Sequence, residues 1–284
     1  MDFGTCGLVP GMPRMKFSTS IDGPVAVIGD VHGQTDKLQV ILDKLAARPD
    51  YRQRWIVFIG DLVDRGPDPR AAIEAVLRLQ QEHGRTTAIA GNHELAMAAS
   101  LKVVNTPDYS DWDSRWIDHY GSEQTFASYR ARMGDLNDLK SKVPDSHQRF
   151  LADVPWSVEH PDFFFVHAGL EPNSPFHVQR SILRQRDFSL NRPEWLCSKR
   201  LPFAETPDDC PLTIVSGHVP VPEVQFSHRK ILIDTTGGVE GDLSCVLLPE
   251  GRVITSGSRT YTAQDTRRPK APAQKAKSGW FGLW

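Results

Sequence analysis

Short apolar runs alternate with helical patterns over the first ninety residues of the chain. Residues 24–28, 55–59 and 86–90 are apolar or β-branched and short, which predicts three buried strands. Between and after the first two runs, apolar side chains recur at helical spacing, and Asp68-Pro69 is typical of a helix start. The two helical faces comprise Leu38, Ile41, Leu42 and Leu45, then Ile73, Val76 and Leu77. The β-α-β-α-β order predicts a partly parallel sheet covered by helices.

The second half of the chain follows a different pattern. Residues 100 to about 150 mix aromatic side chains with many charges, which predicts a mostly helical insertion. Apolar runs at 163–166, 213–216, 231–234, 244–248 and 252–255 predict further strands, and their concentration here indicates a second sheet. The aromatic residues of the insertion are Tyr109, Trp112, Trp116, Tyr120, Phe126 and Tyr129. We therefore predict an α/β (α+β) fold: a two-sheet β-sandwich flanked by helices.

Composition divides the chain into three parts. Residues 1–22 are expected to form a loose lead-in and residues 23–261 the folded domain. Residues 262–284 are rich in Arg, Lys, Pro, Ala and Gln, which predicts a disordered tail. The tail ends in the apolar stretch 280–284, so it is either inert or a docking segment for a partner or a membrane surface.

Charge and cysteine content limit the function classes. The formal net charge of the 284 residues is −2, so no overall field recruits nucleic acid, and an anionic substrate needs a local positive site. The four cysteines show neither a disulfide framework nor a zinc-knuckle spacing, which favours reduced thiols in the cytoplasm. We find neither the apolar core of a signal peptide nor an apolar run of the roughly 18 residues that span a bilayer.

Five short motifs share one design, in which glycine stands beside a side chain that can bind a metal ion. The first three each follow a predicted strand, and ligands collect beyond the carboxyl ends of strands in α/β sheets. Loops at this edge carry function while the sheet holds them in place. In chain order the motifs are Gly29-Asp30-Val31-His32-Gly33, Gly60-Asp61-Leu62-Val63-Asp64-Arg65-Gly66, Gly91-Asn92-His93-Glu94, His167-Ala168-Gly169 and Gly217-His218.

The side chains in these motifs suit two divalent cations. Carboxylate, amide oxygen and imidazole bind Mn²⁺, Fe²⁺, Zn²⁺ or Mg²⁺, and the lack of cysteine among them argues against a structural zinc site. Two metals roughly 3.5–4 Å apart need a bridging ligand such as a carboxylate, and together they activate a bound water. The predicted metal ligands are Asp30, His32, Asp61, Asn92, His167 and His218.

The five motifs, in this order, resemble those of the phosphoprotein phosphatase family within the calcineurin-like metallophosphoesterases. The resemblance spans Gly29 to about Leu248, and it implies the two-sheet sandwich named above. It implies that Asp30, His32 and Asp61 hold the first metal, and that Asp61 bridges to a second metal on Asn92, His167 and His218. It further implies that hydroxide held by the two metals attacks phosphorus directly, with Mn²⁺ as the first choice of metal and Fe, Zn or Mg as alternatives.

The resemblance also implies roles for groups beside the metals. His93 matches the general acid, Asp64 the carboxylate that orients it, and Arg65 an arginine that binds the substrate phosphate together with Asn92. A second phosphate-binding arginine should follow His167-Ala168-Gly169. Arg184 and Arg186 are the candidates; we prefer Arg184, although the Trp that often precedes this arginine in bacterial relatives is missing.

Two enzymatic functions remain open at this stage. Asp64 is usually absent from symmetrical dinucleoside-tetraphosphate hydrolases, so its presence favours a bacterial-type phosphomonoesterase acting on phosphoserine, phosphothreonine or phosphotyrosine in proteins. The alternative is a hydrolase of dinucleoside polyphosphates or other nucleotides, since aromatic side chains of the insertion could stack on a base. A non-enzymatic scaffold requires the loss of a metal ligand or of the acid, and none is lost.

Overall fold

One sheet carries the three parallel strands predicted from the first half of the chain. The computed structural model describes residues 15–266. The first sheet has the order β11-β10-β9-β1-β2-β3. Strands β1, β2 and β3 are parallel, and β9 pairs antiparallel with β1. Its strands are β1 (Val25–Ile28), β2 (Trp55–Phe58), β3 (Thr86–Ala88), β9 (Ser244–Leu248), β10 (Arg252–Thr255) and β11 (Thr260–Thr262).

The second sheet has the order β4-β5-β6-β8-β7. Its central strands β5, β6 and β8 are parallel, and the outer strands β4 and β7 run antiparallel to their neighbours. Its strands are β4 (Ser157–Glu159), β5 (Phe163–Val166), β6 (Thr213–Ser216), β7 (Gln225–Ser227) and β8 (Lys230–Leu232). The predicted two-sheet fold flanked by helices is therefore confirmed.

Alternate residues of the central strands face two different cores. Val27 and Val57 belong to an apolar cluster that also contains Phe165 of the second sheet, so this cluster lies between the sheets. Their neighbours Ile28 and Phe58 pack in the larger cluster with the helices. Side chains alternate across a strand, so strands buried on both faces read as continuous apolar runs. Burial of each such side chain stabilises the folded state by roughly 1.5–3 kcal/mol relative to leaving it exposed.

Helices cover the outer faces of the sheets. The second helix, α2 (Pro69–Glu82), begins directly after Asp68, and Pro69 is its first residue. The Asp68 side chain accepts a hydrogen bond from Ala71 N (3.0 Å) and so caps the helix. The helices are α1 (Thr35–Ala46), α2 (Pro69–Glu82), α3 (Asn92–Ser100), α4 (Trp112–His119), α5 (Glu123–Ser128), α6 (Leu136–Lys142), α7 (Asp145–Asp153), α8 (Phe176–Gln185), α9 (Glu194–Cys197) and α10 (Ala263–Thr266), with 3₁₀ turns at Tyr51–Gln53, Asp108–Ser110 and Leu201–Phe203. Among residues 15–266, no helix combines the length and apolar character needed to cross a membrane.

Two sequence-based expectations about the sheets were wrong. The strands of the second half do not form one sheet, because β9, β10 and β11 add to the first sheet beside β1. The folded part does not end at residue 261, since β11 pairs with β10 and α10 follows it. In addition, the three-residue strands β4, β7 and β11 were not predicted.

The described part of the lead-in packs on the domain. Ser20 bridges to Glu159, Ile21 N donates to Glu159 O (2.8 Å), and Met15 and Phe17 pack against the core. Residues 15–22 are thus tied to β4 rather than loose. Residues 1–14 and 267–284, with the apolar stretch 280–284, lie outside the described residues.

Candidate metal centre

The carboxyl ends of strands from both sheets converge on one buried cluster. Asp30, Asp61 and Asn92 follow β1, β2 and β3 of the first sheet, and His167 and His218 follow β5 and β6 of the second. Close approach requires glycine beside two of them. A Cβ on Gly91 would meet Asp61 Oδ1, and one on Gly217 would meet Asp30 Oδ1.

Asp61 lies at the centre of this cluster. Its Oδ2 is 3.2 Å from His167 Nε2, 3.5 Å from His32 Nε2 and 3.8 Å from His93 Nε2. Two groups of side chains could each hold an ion, His32 with Asp61 and His93, and Asp61 with His167 and His218. Because Asp61 belongs to both groups, its carboxylate can bridge two cations.

The imidazoles around Asp61 are fixed through their other nitrogen. His32 Nδ1 lies 2.8 Å from Val63 O and His167 Nδ1 lies 2.8 Å from Ile59 O. A carbonyl only accepts, so each Nδ1 donates and leaves Nε2 directed at Asp61. This arrangement orients histidines that bind metals through Nε2.

Asp30 and Asn92 complete the predicted ligand set. Asp30 Oδ2 accepts a hydrogen bond from His218 N (2.9 Å), and Asn92 Oδ1 is 3.2 Å from His167 Nε2. Asp30 Oδ1 is buried and has no hydrogen-bond donor among the described residues. A buried carboxylate oxygen without a donor is costly unless a cation contacts it. The donor set of carboxylates, amide oxygen and imidazoles therefore fits divalent metal ions.

Charge coupling within the cluster shifts several pKa values. Burial, then the Asp234 carboxylate, raises the pKa of Asp30 well above its ordinary value. Burial, followed by a neighbouring imidazole, lowers the pKa of His32 and of His218 to about 3. Both rings are therefore neutral near pH 7, and neutral imidazole is the form that binds a metal.

The backbone at the site adopts conformations that L-residues rarely occupy. Positive φ angles occur at His32 (43°), Asp61 (51°), Asp64 (68°), Arg65 (64°) and His218 (71°). Such strain costs of the order of 1 kcal/mol or more per residue and persists where surrounding contacts impose it. The glycine-flanked motifs thus hold ligand-bearing turns in a defined shape.

Glu94 is a residue of this site to which the sequence had assigned no role. Its buried carboxylate accepts hydrogen bonds from Asp61 N (2.7 Å), Leu62 N (2.7 Å) and Gly91 N (2.8 Å). It therefore ties the turn after β2 to the turn after β3. Its position as the third residue of α3, where a Glu often reaches back to the helix start, was a signal that could have found it.

His93 and Asp64 form a buried pair beside the cluster. His93 Nδ1 lies 2.7 Å from Asp64 Oδ2, and His93 Nε2 is buried without a hydrogen-bond partner among the described residues. Burial is the main cause that lowers the pKa of His93 to about 3 and raises that of Asp64 to about 7. The unpartnered Nε2 is directed towards the candidate metal ligands, 3.8 Å from Asp61 Oδ2.

Arg65 lies at the exposed edge of the cluster. Its Nη1 donates to Gly237 O (2.9 Å) and is 3.2 Å from His32 Nε2. It is therefore a guanidinium within reach of a phosphate bound at the cluster.

The structure does not bring Arg184 or Arg186 to the cluster. Arg184 pairs with Glu159, with Nε 2.6 Å from Oε1, and Arg186 Nη1 donates to Ala152 O (2.7 Å). Glu159 of β4 pairs with Phe164, close to the amino end of β5, whereas His167 follows the carboxyl end. Our preference for Arg184 as a phosphate-binding residue is therefore corrected, because α8 directs this side chain to the opposite end of the second sheet.

The profile of the calcineurin-like phosphoesterase family matches residues 23–244. The chain belongs to this family. The matched segment contains all the motifs that supply the cluster, from Asp30 to His218.

Two relatives of this chain are both named bis(5'-nucleosyl)-tetraphosphatases, one asymmetrical and the other symmetrical. The bis(5'-nucleosyl)-tetraphosphatase PrpE [asymmetrical] of Oceanobacillus iheyensis is 26% identical over 257 residues, covering 83% of this chain and 92% of the relative. The symmetrical bis(5'-nucleosyl)-tetraphosphatase of Haemophilus ducreyi is 24% identical over 186 residues, covering 64% of this chain and 58% of the relative. The chain thus spans little more than half of the length of that relative.

Among solved structures, a cold-active protein-tyrosine phosphatase of a psychrophilic Shewanella species is similar in fold. It superposes with a TM-score of 0.57 at 19% sequence identity, covering 90% of this chain and 87% of the other. This likeness concerns the fold of the phosphoesterase domain alone.

Proposed function

We propose that this protein is a metal-dependent phosphomonoesterase that hydrolyses phosphoserine, phosphothreonine or phosphotyrosine in proteins. The observation that carries the proposal is the buried His93–Asp64 pair next to the metal cluster, with Nδ1 and Oδ2 2.7 Å apart. An alkoxide or phenolate is a poor leaving group and needs a proton as the ester bond breaks. A nucleoside diphosphate leaves with far less help, so an intact acid pair supports a monoester substrate.

Each residue of the site has a role in this proposal. Asp30, His32 and Asp61 would hold one cation, and Asp61, Asn92, His167 and His218 the other. When bound, two such cations supply an activated water and neutralise phosphoryl charge. Arg65, with Asn92, binds phosphoryl oxygens. Binding of the phosphate dianion opposes the burial that lowers the pKa of His93, so the ring takes up a proton when substrate binds. Asp64 then holds the ring through Nδ1, and Nε2 delivers its proton to the leaving oxygen.

Phosphatase assays with matched arginine variants test this proposal. With added Mn²⁺, we expect release of phosphate from phosphopeptides and from p-nitrophenyl phosphate. His93→Asn should lower kcat for phosphopeptides by roughly 10²–10⁴-fold, and much less for p-nitrophenyl phosphate, whose leaving group needs little protonation. Arg65→Ala should lower kcat/KM by roughly 10- to 100-fold, since hydrogen bonds between charged groups contribute about 1.5–3 kcal/mol. Arg184→Ala is the control, and its activity should stay within about twofold because its partner Glu159 is remote from the cluster.

Two outcomes would contradict the proposal. Unchanged turnover of phosphopeptides by folded His93→Asn would show that His93 is not the general acid. Equal losses in Arg65→Ala and Arg184→Ala would show that Arg65 does not bind the phosphate. The same assay with Mn²⁺, Fe²⁺, Zn²⁺ and Mg²⁺ tests the choice of metal, for which we propose Mn²⁺. The cytoplasmic location stays a prediction from the sequence.

A second candidate function is hydrolysis of dinucleoside polyphosphates. The names of the two relatives above, both bis(5'-nucleosyl)-tetraphosphatases, favour it. The test is product analysis with diadenosine tetraphosphate under the same Mn²⁺ conditions. Turnover of this nucleotide well above that of the phosphopeptides would replace the first proposal, and ADP alone or AMP with ATP would distinguish symmetrical from asymmetrical cleavage.

A further inference from the structure

Helices α4 and α5 and the turn between them contact both Asp64 of the acid pair and Arg65. Trp116 Nε1 donates to Asp64 Oδ2 (2.8 Å), and Thr125 Oγ1 donates to Asp64 Oδ1 (2.5 Å). Together with His93 Nδ1, these donors engage both oxygens of a carboxylate that is fully buried. Neither Trp116 nor Thr125 belongs to the metal-binding motifs, and both lie in the aromatic insertion.

Helix α5 and the turn before it also hold the backbone that carries Asp64 and Arg65. Thr125 Oγ1 accepts a hydrogen bond from Asp64 N (3.1 Å), and Gly121 O accepts one from Arg65 N (2.8 Å). Asp64 and Arg65 both have positive φ angles, which non-glycine residues adopt only where contacts impose them. The insertion therefore supplies the contacts that stabilise this turn in an unfavourable conformation.

We propose that Trp116 and Thr125 are positioning residues for the reaction, and that they act by holding Asp64 so that the His93 ring points its Nε2 at the leaving oxygen. This inference rests on the function proposed above. Neither residue touches the reacting atoms in this proposal. If one donor is lost, Asp64 can rotate away from His93, and proton delivery suffers while metal binding is unaffected.

Substrates with different leaving groups separate this role from a structural one. p-Nitrophenolate leaves with little protonation, whereas phenolate depends on the acid. With Mn²⁺, Trp116→Phe and Thr125→Val should each lower kcat for phenyl phosphate by about tenfold, and kcat for p-nitrophenyl phosphate by no more than about threefold. KM for both substrates and the bound Mn²⁺ per chain should stay close to those of the unaltered protein.

Matched variants control for general damage to the insertion. Trp112 lies on the same helix, is 2% exposed and does not bond to Asp64, so Trp112→Phe makes the same chemical change nearby. It should leave the ratio of the two kcat values unchanged. Thr125→Ser retains the hydroxyl and should restore the ratio that Thr125→Val loses. In an Asp64→Asn background, Trp116→Phe should cause no further loss in the ratio, because both changes act through one carboxylate.

The outcomes separate the inference from the proposed function. If the unaltered protein hydrolyses neither monoester, the proposed function fails. If it hydrolyses both, but Trp116→Phe and Thr125→Val change the kcat ratio no more than Trp112→Phe does, the positioning role is wrong while the function stands. Should Trp116→Phe not fold, the comparison of Thr125→Val with Thr125→Ser decides alone.

Discussion

At the scale of single residues, Asp61 and His167 show how a proton and a cation compete for one place. Burial alone would lower the pKa of His167, but the Asp61 carboxylate 3.2 Å away outweighs it and raises the pKa to about 10. His167 is therefore protonated at neutral pH when no metal is bound, and that proton partly neutralises Asp61. A metal ion must displace it, since only neutral imidazole binds a metal.

We therefore predict that metal affinity rises with pH around neutrality. Loss of one proton from His167 should strengthen Mn²⁺ binding by about tenfold per pH unit, up to about pH 10. Titration calorimetry at pH 7 in buffers of different ionisation enthalpy should show release of at least one proton per chain. Mn²⁺ affinity independent of pH between neutral and mildly alkaline solution would contradict this coupling.

The raised pKa of His167 also makes the stability of the metal-free protein depend on pH. The pKa of His167 is raised on folding, so the folded state binds a proton more tightly than the unfolded state does. The stabilisation from the His167–Asp61 pair is fully present below the ordinary pKa of 6.5 and is lost as the pH rises through about 10. Alkaline conditions thus weaken the metal-free protein at this pair while they favour metal binding.

At the scale of elements, strand ends determine how closely the two sheets can bring their ligands together. Gly217 follows β6, and its N–H donates to His167 O (2.9 Å), which draws the ends of β5 and β6 together. Asp30 of the other sheet packs directly against it, where a Cβ would meet Asp30 Oδ1. A side chain at this position must therefore displace a predicted metal ligand.

We predict that Gly217→Ala lowers metal affinity without unfolding the domain. Asp30 has to move by more than the few tenths of an ångström that flexible neighbours can give, so Mn²⁺ affinity and kcat/KM should each fall at least about tenfold. The matched control is Gly84→Ala, where a Cβ would have no atom within 4 Å. That variant should retain activity and gain up to about 1 kcal/mol of stability. Equal metal affinity in the two variants would contradict the close approach at Gly217.

The sequence predicted those features that depend on neighbouring residues alone. The apolar runs before Asp30 and Asp61 mark their strands, because both faces of these strands are buried. Partners far along the chain are not encoded this way, so the pairing of β9 with β1 and the donors to Asp64 had no local signal. The prediction that Arg184 binds phosphate was wrong for the same reason. A helix pattern shows which residues share a face, but the packing of α8 decides which end of the sheet that face meets.

At the scale of the whole molecule, the candidate metal centre joins the two sheets. Asp30, Asp61 and Asn92 come from the first sheet, and His167 and His218 from the second. The three cysteines among residues 15–266 are free, so no disulfide joins the two sheets within this part of the chain. Cations shared by both sets of ligands would therefore add a cross-link that the unfolded chain cannot form. Metal binding should therefore stabilise the domain as a unit and not only the loops that carry the ligands.

We expect Mn²⁺ to raise the melting temperature of the EDTA-treated protein in a concentration-dependent way. Ligand binding to the folded state alone adds about 2.7 kcal/mol at a free concentration 100 times Kd, or roughly 5–10 °C for a domain of this size. Asp61→Asn, which removes the shared carboxylate, should abolish most of this shift. Asp162→Asn is the control, because its exposed carboxylate lies before β5 at the far end of the sheet and the full shift should remain.

Hydrogen exchange can locate this stabilisation. If the cations join the sheets, Mn²⁺ should slow exchange in β1 and β2 of the first sheet as well as in β5 and β6 of the second, because all four strands then open together. Protection confined to the loops after these strands would mean that the ions bind to one edge without linking the halves. A melting temperature raised equally in Asp61→Asn would mean that Mn²⁺ acts elsewhere on the protein, and the shared-carboxylate arrangement would then be wrong.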